Sequence, residues 1–221
     1  MWVLCSCNKE VATVEPFMDA KSYCPLNVGD YITYAVEDTL LEFGNVIKPS
    51  TFQLKIKVAE KLQDESVKQK FTLERYKRAN ASEPWSLDSI WFVTYTKDLE
   101  LVFYEANIPF VKLITPFKTG ATWNGNKYNV LQSEIYRTRS FARPYFAQDT
   151  LFENTVRIIQ NEDFDNLYGY SNNYEVYAKD IGLIYKLYRT YRYSQDDREV
   201  PNPNVRVGFI REMRYLSHGK E

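Results

Sequence analysis

Alternation of hydrophobic and polar positions dominates this chain from Tyr23 onward. In residues 52–58 hydrophobic side chains occupy every second position, and residues 205–215 carry the same pattern. A period of two is that of an extended strand, in which successive side chains point to opposite faces. Both stretches are therefore predicted to be strands with one buried face.

Three short apolar runs in the middle of the chain predict further strands. They cover residues 90–95, 99–104 and 109–114, and polar groups separate them at Thr96-Lys97-Asp98 and Glu105-Ala106-Asn107. Short polar separators of this kind are typical of hairpin loops. The runs are expected to form antiparallel neighbours.

The pattern as a whole gives about eleven strands and no amphipathic helix of three turns. The chain also contains eighteen Tyr and thirteen Phe, residue types that favour half-buried pleated surfaces. So many strands in an open, flat sheet would leave exposed edges. The predicted fold is all-β with minor α, an antiparallel β-barrel or strongly curved sheet of about eleven strands.

A weak internal similarity bears on the domain organisation. Residues 25–32 and 116–123 each place a Gly four residues after a Pro and an aromatic residue shortly after it. A glycine there would supply a turn that delivers the chain into a strand. The similarity raises a possible pseudo-repeat of 25–115 and 116–215, but chance recurrence of a common turn explains it equally well. Residues 23–221 are therefore treated as one β domain.

Net charge and the length of apolar runs argue against two kinds of partner, nucleic acid and a membrane crossed by a helix. The net charge of −1 among 221 residues gives no electrostatic reason to expect nucleic acid as a partner. No apolar run approaches the roughly 20 residues of a membrane-spanning helix.

The first residues carry a different signal. Leu4-Cys5-Ser6-Cys7 is similar to the end of a bacterial lipoprotein signal, in which the last Cys becomes acylated at the new N-terminus. The preceding apolar run, Trp2-Val3-Leu4, is shorter than the roughly 7–15 residues of a working signal. Residues 1–6 are interpreted as the remnant of a signal that starts upstream, Cys7 as the lipidation site and residues 7–22 as a lipid-anchored tether. Cys24 would then be the remaining thiol; without acylation, a disulfide from Cys24 to Cys5 or Cys7 stays open.

Two internal segments point in the same direction. Residues 25–34, PLNVGDYITY, resemble the P-L-x-x-G-x-x-W-x-Y opening of Bacteroidetes lipoproteins, and residues 175–186, EVYAKDIGLIYK, are similar to their Y-A-x-G-V/I-G-L-V segment. With the N-terminal motif, the resemblance spans most of residues 4–193. It implies a mostly β, lipid-anchored envelope protein, with no established activity to transfer.

Signatures of common enzymes are absent from the sequence. The single His, His218, lies three residues from the C-terminus, and no nucleotide-binding glycine loop, His-Glu-x-x-His or Cys-x-x-Cys occurs. We expect no catalytic residue, no metal site and no cofactor. The acidic groups at 162–166 and 196–199 leave a carboxylate mechanism on glycans open, although solvated loops explain them better.

The strongest candidate for ligand binding is the interleaving of Arg with aromatic residues. On a strand, the side chains of Tyr185, Arg189, Tyr191 and Tyr193 share one face, and Arg-rich residues 136–145 repeat the theme. Flat rings and guanidinium groups on a concave surface bind sugars, peptides or anionic head groups, whereas cross-strand pairing would also produce the pattern. The predicted binding residues are Tyr185, Arg189, Tyr191, Tyr193, Arg137, Arg139 and Trp123.

These observations favour a non-enzymatic lipoprotein of the cell envelope, in the outer membrane and either periplasmic or surface-exposed. It would bind the membrane through its lipid and an extracytoplasmic ligand of glycan, peptide or lipid chemistry. The alternatives are a glycan-directed hydrolase using Asp/Glu pairs and a hydrophobic-ligand carrier, which requires an apolar cavity inside the barrel.

Overall fold

The computed structural model describes residues 19–42, 45–46, 49–63, 69–116, 118–164, 166–195 and 200–221. The predicted lipidation motif, the tether up to residue 18 and the acidic group at 196–199 lie outside these residues. The described chain forms one short helix and thirteen strands: α1 (Ala20–Tyr23), β1 (Asp30–Glu42), β2 (Asn45–Val46), β3 (Ser50–Leu62), β4 (Gln69–Arg78), β5 (Ser86–Tyr95), β6 (Leu101–Glu105), β7 (Ile108–Leu113), β8 (Thr122–Asn124), β9 (Ile135–Ala147), β10 (Thr150–Asp163), β11 (Gly169–Ala178), β12 (Gly182–Gln195) and β13 (Pro201–Lys220).

All thirteen strands belong to one antiparallel sheet, so the predicted fold class is confirmed. Its order is β7-β6-β5-β4-β3-β1-β13-β12-β11-β10-β9-β8, with β2 paired only to β1. The first long strand thus lies beside the last, β1 lies beside β3 with β2 between them in the chain, and every other pair of neighbours along the path is consecutive in sequence. The two shortest strands, β2 and β8, have too few residues for an alternating pattern to mark them.

The sheet curls until its two ends meet. The backbone N–H of Val111 in β7 donates to the carbonyl oxygen of Gly125, just after β8, at 2.8 Å. The indole Nε1 of Trp123 donates to the carbonyl oxygen of Val111, also at 2.8 Å. These bonds nearly close a twelve-strand antiparallel barrel, and we call this junction the seam.

Several local predictions are confirmed. The alternating residues 52–58 lie in β3, and the polar groups at 96–98 and 105–107 fall at the connections between β5, β6 and β7. Gly29 and Gly120 adopt φ of +92° and +82°, the backbone angle that the two similar Pro-Gly segments were expected to need.

Helix α1 covers one end of the barrel. The N–H of Ala20 donates to Thr115 Oγ1 at 3.0 Å, and the hydroxyl of Tyr95 donates to the carbonyl oxygen of Cys24 at 2.8 Å. Ala20 and Tyr23 are fully buried in the core cluster at this end. The structure therefore packs the chain against the barrel from Ala20, within the last residues of the segment predicted as a tether.

The β9–β10 hairpin packs against outward-facing side chains of β11 and β12. Its residues Tyr145 and Phe152 contact Tyr185 and Tyr215, with ring centroids 5.9 and 5.1 Å apart. Ile184 is completely buried in this outer cluster. Side chains are therefore buried on both faces of β11 and β12.

Candidate functional site

Charged side chains occupy the inner face of several strands at one level of the barrel. In β4, Phe71 and Leu73 belong to the inner core and Arg75 follows in the same phase. In β6, Leu101 and Phe103 are followed in phase by Glu105. Alternate residues of a strand share a face. Arg75 and Glu105 therefore point to the inside of the barrel, like the core residues that precede them.

Four of the charged groups form a closed network that we call the charged square. Lys112 Nζ lies 2.8 Å from Glu105 Oε1 and 3.1 Å from Glu175 Oε1. Lys186 Nζ lies 3.0 Å from Glu175 Oε1 and 3.8 Å from Glu105 Oε2. Two ammonium groups and two carboxylates thus neutralise one another inside the barrel, which offsets much of the cost of burying each charge.

The square favours the charged forms of Glu105, Lys112 and Glu175. Burial alone would raise the pKa of the Glu175 carboxyl, but Lys112, Lys186 and a 2.7 Å hydrogen bond from the Tyr177 hydroxyl outweigh it, so the pKa is lowered. The same balance lowers the pKa of Glu105. Burial lowers the pKa of Lys112, yet the two carboxylates raise it above its ordinary value.

Two arginines extend the charged layer. Arg211 on β13 pairs in a fork with Asp38 on β1, through Nε–Oδ1 at 2.7 Å and Nη2–Oδ2 at 2.6 Å. The guanidinium of Arg75 lies over the ring of Trp91, 3.8 Å from its centroid, and Nη1 donates to Ser89 Oγ at 3.0 Å.

A cavity of about 390 Å³ lies inside the barrel next to this layer. Its lining reaches from the barrel end, where Asp30 pairs with Lys220, to Arg211 on the opposite side of the square. Apolar side chains supply most of its wall, among them Leu26, Ile32, Ile56, Val58, Leu73, Trp91, Phe103, Leu183 and Met213. The cavity therefore combines an apolar wall with buried charges, a combination typical of small-molecule sites.

The predicted aromatic and arginine residues lie elsewhere. Lys186 points inward, so Arg189, Tyr191 and Tyr193 point to the outside of β12 by alternation. Tyr191 stacks on Tyr170 of β11, with ring centroids 5.2 Å apart and planes at 11°. This outer group has the geometry of cross-strand pairing, the alternative considered for the pattern.

The remaining predicted binding residues also make contacts outside the cavity. Tyr185 donates to Glu212 Oε1 at 2.7 Å and packs in the outer cluster. Arg137 Nη2 lies 3.0 Å from Glu162 Oε2, and Arg139 is exposed on the same strand. Trp123 belongs to the seam, and Cys7 lies outside the described residues.

The sequence contained a signal for the interior charges. In Phe71-Leu73-Arg75 and Leu101-Phe103-Glu105, a charge stands where the alternation demands a buried residue. Recognising the site also requires knowledge of which strands face one another across the barrel, since Lys112 on β7 and Glu175 on β11 are 63 positions apart. That arrangement is set by the closure of the barrel and not by local sequence.

Other site types have no support in the described part of the chain. No group of three or more His, Cys, Asp and Glu residues there is arranged to hold a metal ion. Among the same residues, no helix has the length and apolarity needed to cross a membrane.

Comparison with known proteins gives distant likenesses only. No protein-family model and no curated protein matches the sequence. The barrel is similar to the crystal structure of a Bacteroides fragilis protein described as exported and as having a YmcC-like fold. The TM-score is 0.42 and the identity 11%, over 88% of this chain and 99% of the other.

It is also similar to a Parabacteroides distasonis protein described as a lipoprotein. Here the TM-score is 0.33 and the identity 11%, over 89% of this chain and 98% of the other. Both are proteins of Bacteroidetes, but neither likeness is close enough to carry an argument. Membership of the lipoprotein family stays a prediction.

Proposed function

We propose that this protein is a non-enzymatic binding protein of the cell envelope whose barrel takes up a small amphipathic molecule. The observation that carries the proposal is the interior cavity of about 390 Å³ with its apolar wall and charged layer. Side chains just fill a barrel of about eight strands, and the diameter grows with strand number. A twelve-strand barrel therefore leaves interior space, here of a size within the range of ligand pockets.

The charged layer distinguishes this proposal from a carrier of purely hydrophobic molecules. Glu105, Lys112, Glu175 and Lys186 lie on the lining beside the apolar residues. A ligand that filled the cavity would contact both kinds of surface. An amphipathic molecule satisfies both, because a polar group left against hydrocarbon loses its hydrogen bonds to water.

The same groups do not support the glycan-hydrolase alternative. A glycosidase of the common two-carboxylate type needs one carboxyl that stays protonated to act as the acid. Glu105 and Glu175 are instead held ionised by Lys112 and Lys186. Of the acidic group at 162–166, Glu162 pairs with Arg137 and Asp163 accepts a hydrogen bond from Asn166. These contacts favour a structural role, so we propose binding without turnover.

The envelope location is proposed on the sequence alone. Leu4-Cys5-Ser6-Cys7 supports acylation of Cys7, which would attach the protein to a membrane, and the outer membrane fits the resemblance to Bacteroidetes lipoproteins. A lipid on Cys7 would place the barrel close to the membrane surface, periplasmic or exposed.

Calorimetric titration with 1-decanol, below its solubility limit, tests whether the cavity binds ligands. We expect saturable binding of one molecule, and at least tenfold weaker binding, on the order of the loss of two buried methylenes, in Ile56→Trp, because the larger ring fills the cavity that Ile56 lines. Ile90→Trp is the matched control, since Ile90 is 52% exposed on β5 and does not line the cavity. No binding to the wild type, or equal binding to both variants, would contradict the proposal.

A further inference from the structure

The charges that line the cavity are not equally compensated. Each ammonium of the charged square contacts two carboxylates, and Arg211 has both oxygens of Asp38. Arg75 differs from these groups. Its nearest carboxylate oxygen, Asp88 Oδ2, lies 3.6 Å from Nη1, and the Asp88 side chain is 40% exposed to solvent, which screens its charge.

One donor of Arg75 is also unused. Its Nε is buried and has no hydrogen-bond partner among the described residues. The Nε atoms of Arg157 and Arg189 are likewise unpaired, but neither residue lines the cavity, whereas Arg75 does. Burial and the positive charge of Arg211 lower the pKa of Arg75 more than Asp88 and Glu105 raise it. The protein thus buries this guanidinium without fully balancing its charge, and a buried charge of that kind is costly.

The guanidinium is nevertheless held in place. Its plane lies against the ring of Trp91, and Nη1 is fixed by Ser89. A planar fork fixed in this way is suited to carboxylates and other small oxyanions, which accept two of its hydrogen bonds at once.

An apolar wall begins directly beside Arg75. Ile56 on β3 is its partner in the register with β4, and Ile32 on β1 is the partner of Ile56. Leu73 precedes Arg75 on the same face. Ile32, Ile56 and Leu73 all line the cavity, so a hydrocarbon chain that starts at Arg75 finds a continuous apolar surface toward the end of the barrel that carries α1.

We propose that Arg75 binds the anionic head group of a single-chain amphiphile whose alkyl chain lies along Ile56, Leu73 and Ile32. This inference rests on the proposed function, because it names the ligand of the same cavity. An anionic head group supplies the missing charge and the missing acceptor for Nε. A cationic head group is repelled by the guanidinium, and a neutral one leaves its charge unbalanced.

The test compares three probes with the same alkyl chain at neutral pH: decanoate and decyltrimethylammonium, titrated below their micelle concentrations, and 1-decanol, titrated below its solubility limit. Since a hydrogen bond to a charged group contributes roughly 1.5–3 kcal/mol, we expect the wild type to bind decanoate at least about tenfold more tightly than 1-decanol. Decyltrimethylammonium is expected to bind most weakly. This comparison needs no variant, so it stands even if a substitution at Arg75 prevents folding.

A matched pair of variants locates the head group. Arg75→Gln should weaken decanoate binding at least about tenfold and leave 1-decanol nearly unchanged. Arg78→Gln is the control, because Arg78 lies on the same strand and over a tryptophan ring, that of Trp85 at 4.2 Å, but does not line the cavity. It should bind both probes as the wild type does.

The outcomes separate this inference from the proposed function. Equal affinities for decanoate and 1-decanol, both abolished by Ile56→Trp, would overturn the role of Arg75 and leave a binding cavity. Tighter binding of decyltrimethylammonium would overturn it as well. If none of the three probes binds to the wild type, both the inference and the proposed function fail.

Discussion

Glu175 is the residue on which the charged square depends most. Its side chain is only 2% exposed, and its carboxylate contacts Lys112, Lys186 and Tyr177. Removing one partner from a buried ionic network leaves the others uncompensated, which costs more than the network contributes. The site therefore depends on charge balance, and replacement of this carboxylate should have a measurable effect on stability.

We predict that Glu175→Gln lowers the free energy of unfolding by about 3 kcal/mol, because it leaves buried ammonium groups short of one negative charge. Urea denaturation measures the change. The control, Glu162→Gln, removes a carboxylate from the more exposed pair with Arg137 and should cost about 1 kcal/mol or less. An equal decrease in the free energy of unfolding of the two variants would contradict a larger contribution of the charged square to stability.

The square also predicts how stability depends on pH. The pKa values of Glu105 and Glu175 in the folded protein lie below their ordinary value of 4.5. In acid, the unfolded chain therefore binds more protons than the folded chain, and the protein becomes less stable as the pH decreases. The free energy of unfolding should stay nearly level down to about pH 5. It should then decrease as the pH falls below the ordinary carboxyl pKa toward the lower pKa values of Glu105 and Glu175 in the folded protein.

Denaturation curves between pH 7 and the acid range test this prediction. In Glu175→Gln the decrease below the ordinary carboxyl pKa should be shallower, since one of the two coupled carboxyls is gone. The same steepness in variant and wild type would assign acid sensitivity to other groups.

At the scale of elements, the seam shows what local sequence leaves undetermined. Strands with alternating patterns, such as β3, were predictable because the alternation within each strand shows which of its faces is buried. Strand β8 has three residues, and its contact with β7 exists only because the sheet has curled far enough for its ends to meet. Trp123 is one of the predicted ligand residues, and its indole donates to the carbonyl oxygen of Val111 across this junction.

Trp123→Phe should loosen the seam, because phenylalanine cannot supply the indole hydrogen bond. We expect a loss of about 1 kcal/mol in the free energy of unfolding and faster hydrogen exchange at the Val111 amide. The Leu187 amide in β12, far along the sheet from the seam, is the internal control and should lose little protection. Unchanged exchange at Val111 would mean that the backbone bond to Gly125 alone holds the junction.

At the scale of the whole molecule, the barrel explains both what was predictable and what was not. Composition and alternation predicted an all-β, barrel-like fold because those properties accumulate along the chain. The interior site was missed because its members come from distant strands, as in the pair Arg211–Asp38, 173 positions apart. The outward-facing aromatic residues are easier to recognise, since Tyr191 and Tyr193 are close in sequence, and their role as binding residues stays a prediction.

The lipid anchor is a prediction at this scale too. Expressed from its own gene, the protein should carry a diacyl or triacyl mass and partition into detergent, and Cys7→Ala should lose both properties. Cys24→Ala is the control and should keep the lipid, because Cys24 is buried beneath the barrel end. An unmodified wild-type mass would contradict the proposed anchor.

Nuclear magnetic resonance can show whether the inside of the barrel is the binding site. With methyl-labelled protein and decanoate, we expect intermolecular Overhauser effects from the alkyl chain to the methyl groups of Ile32, Ile56 and Leu73. Contacts confined to outward-facing methyl groups, such as those of Leu87 and Ile90, would contradict it, as would the absence of any contact at saturating decanoate.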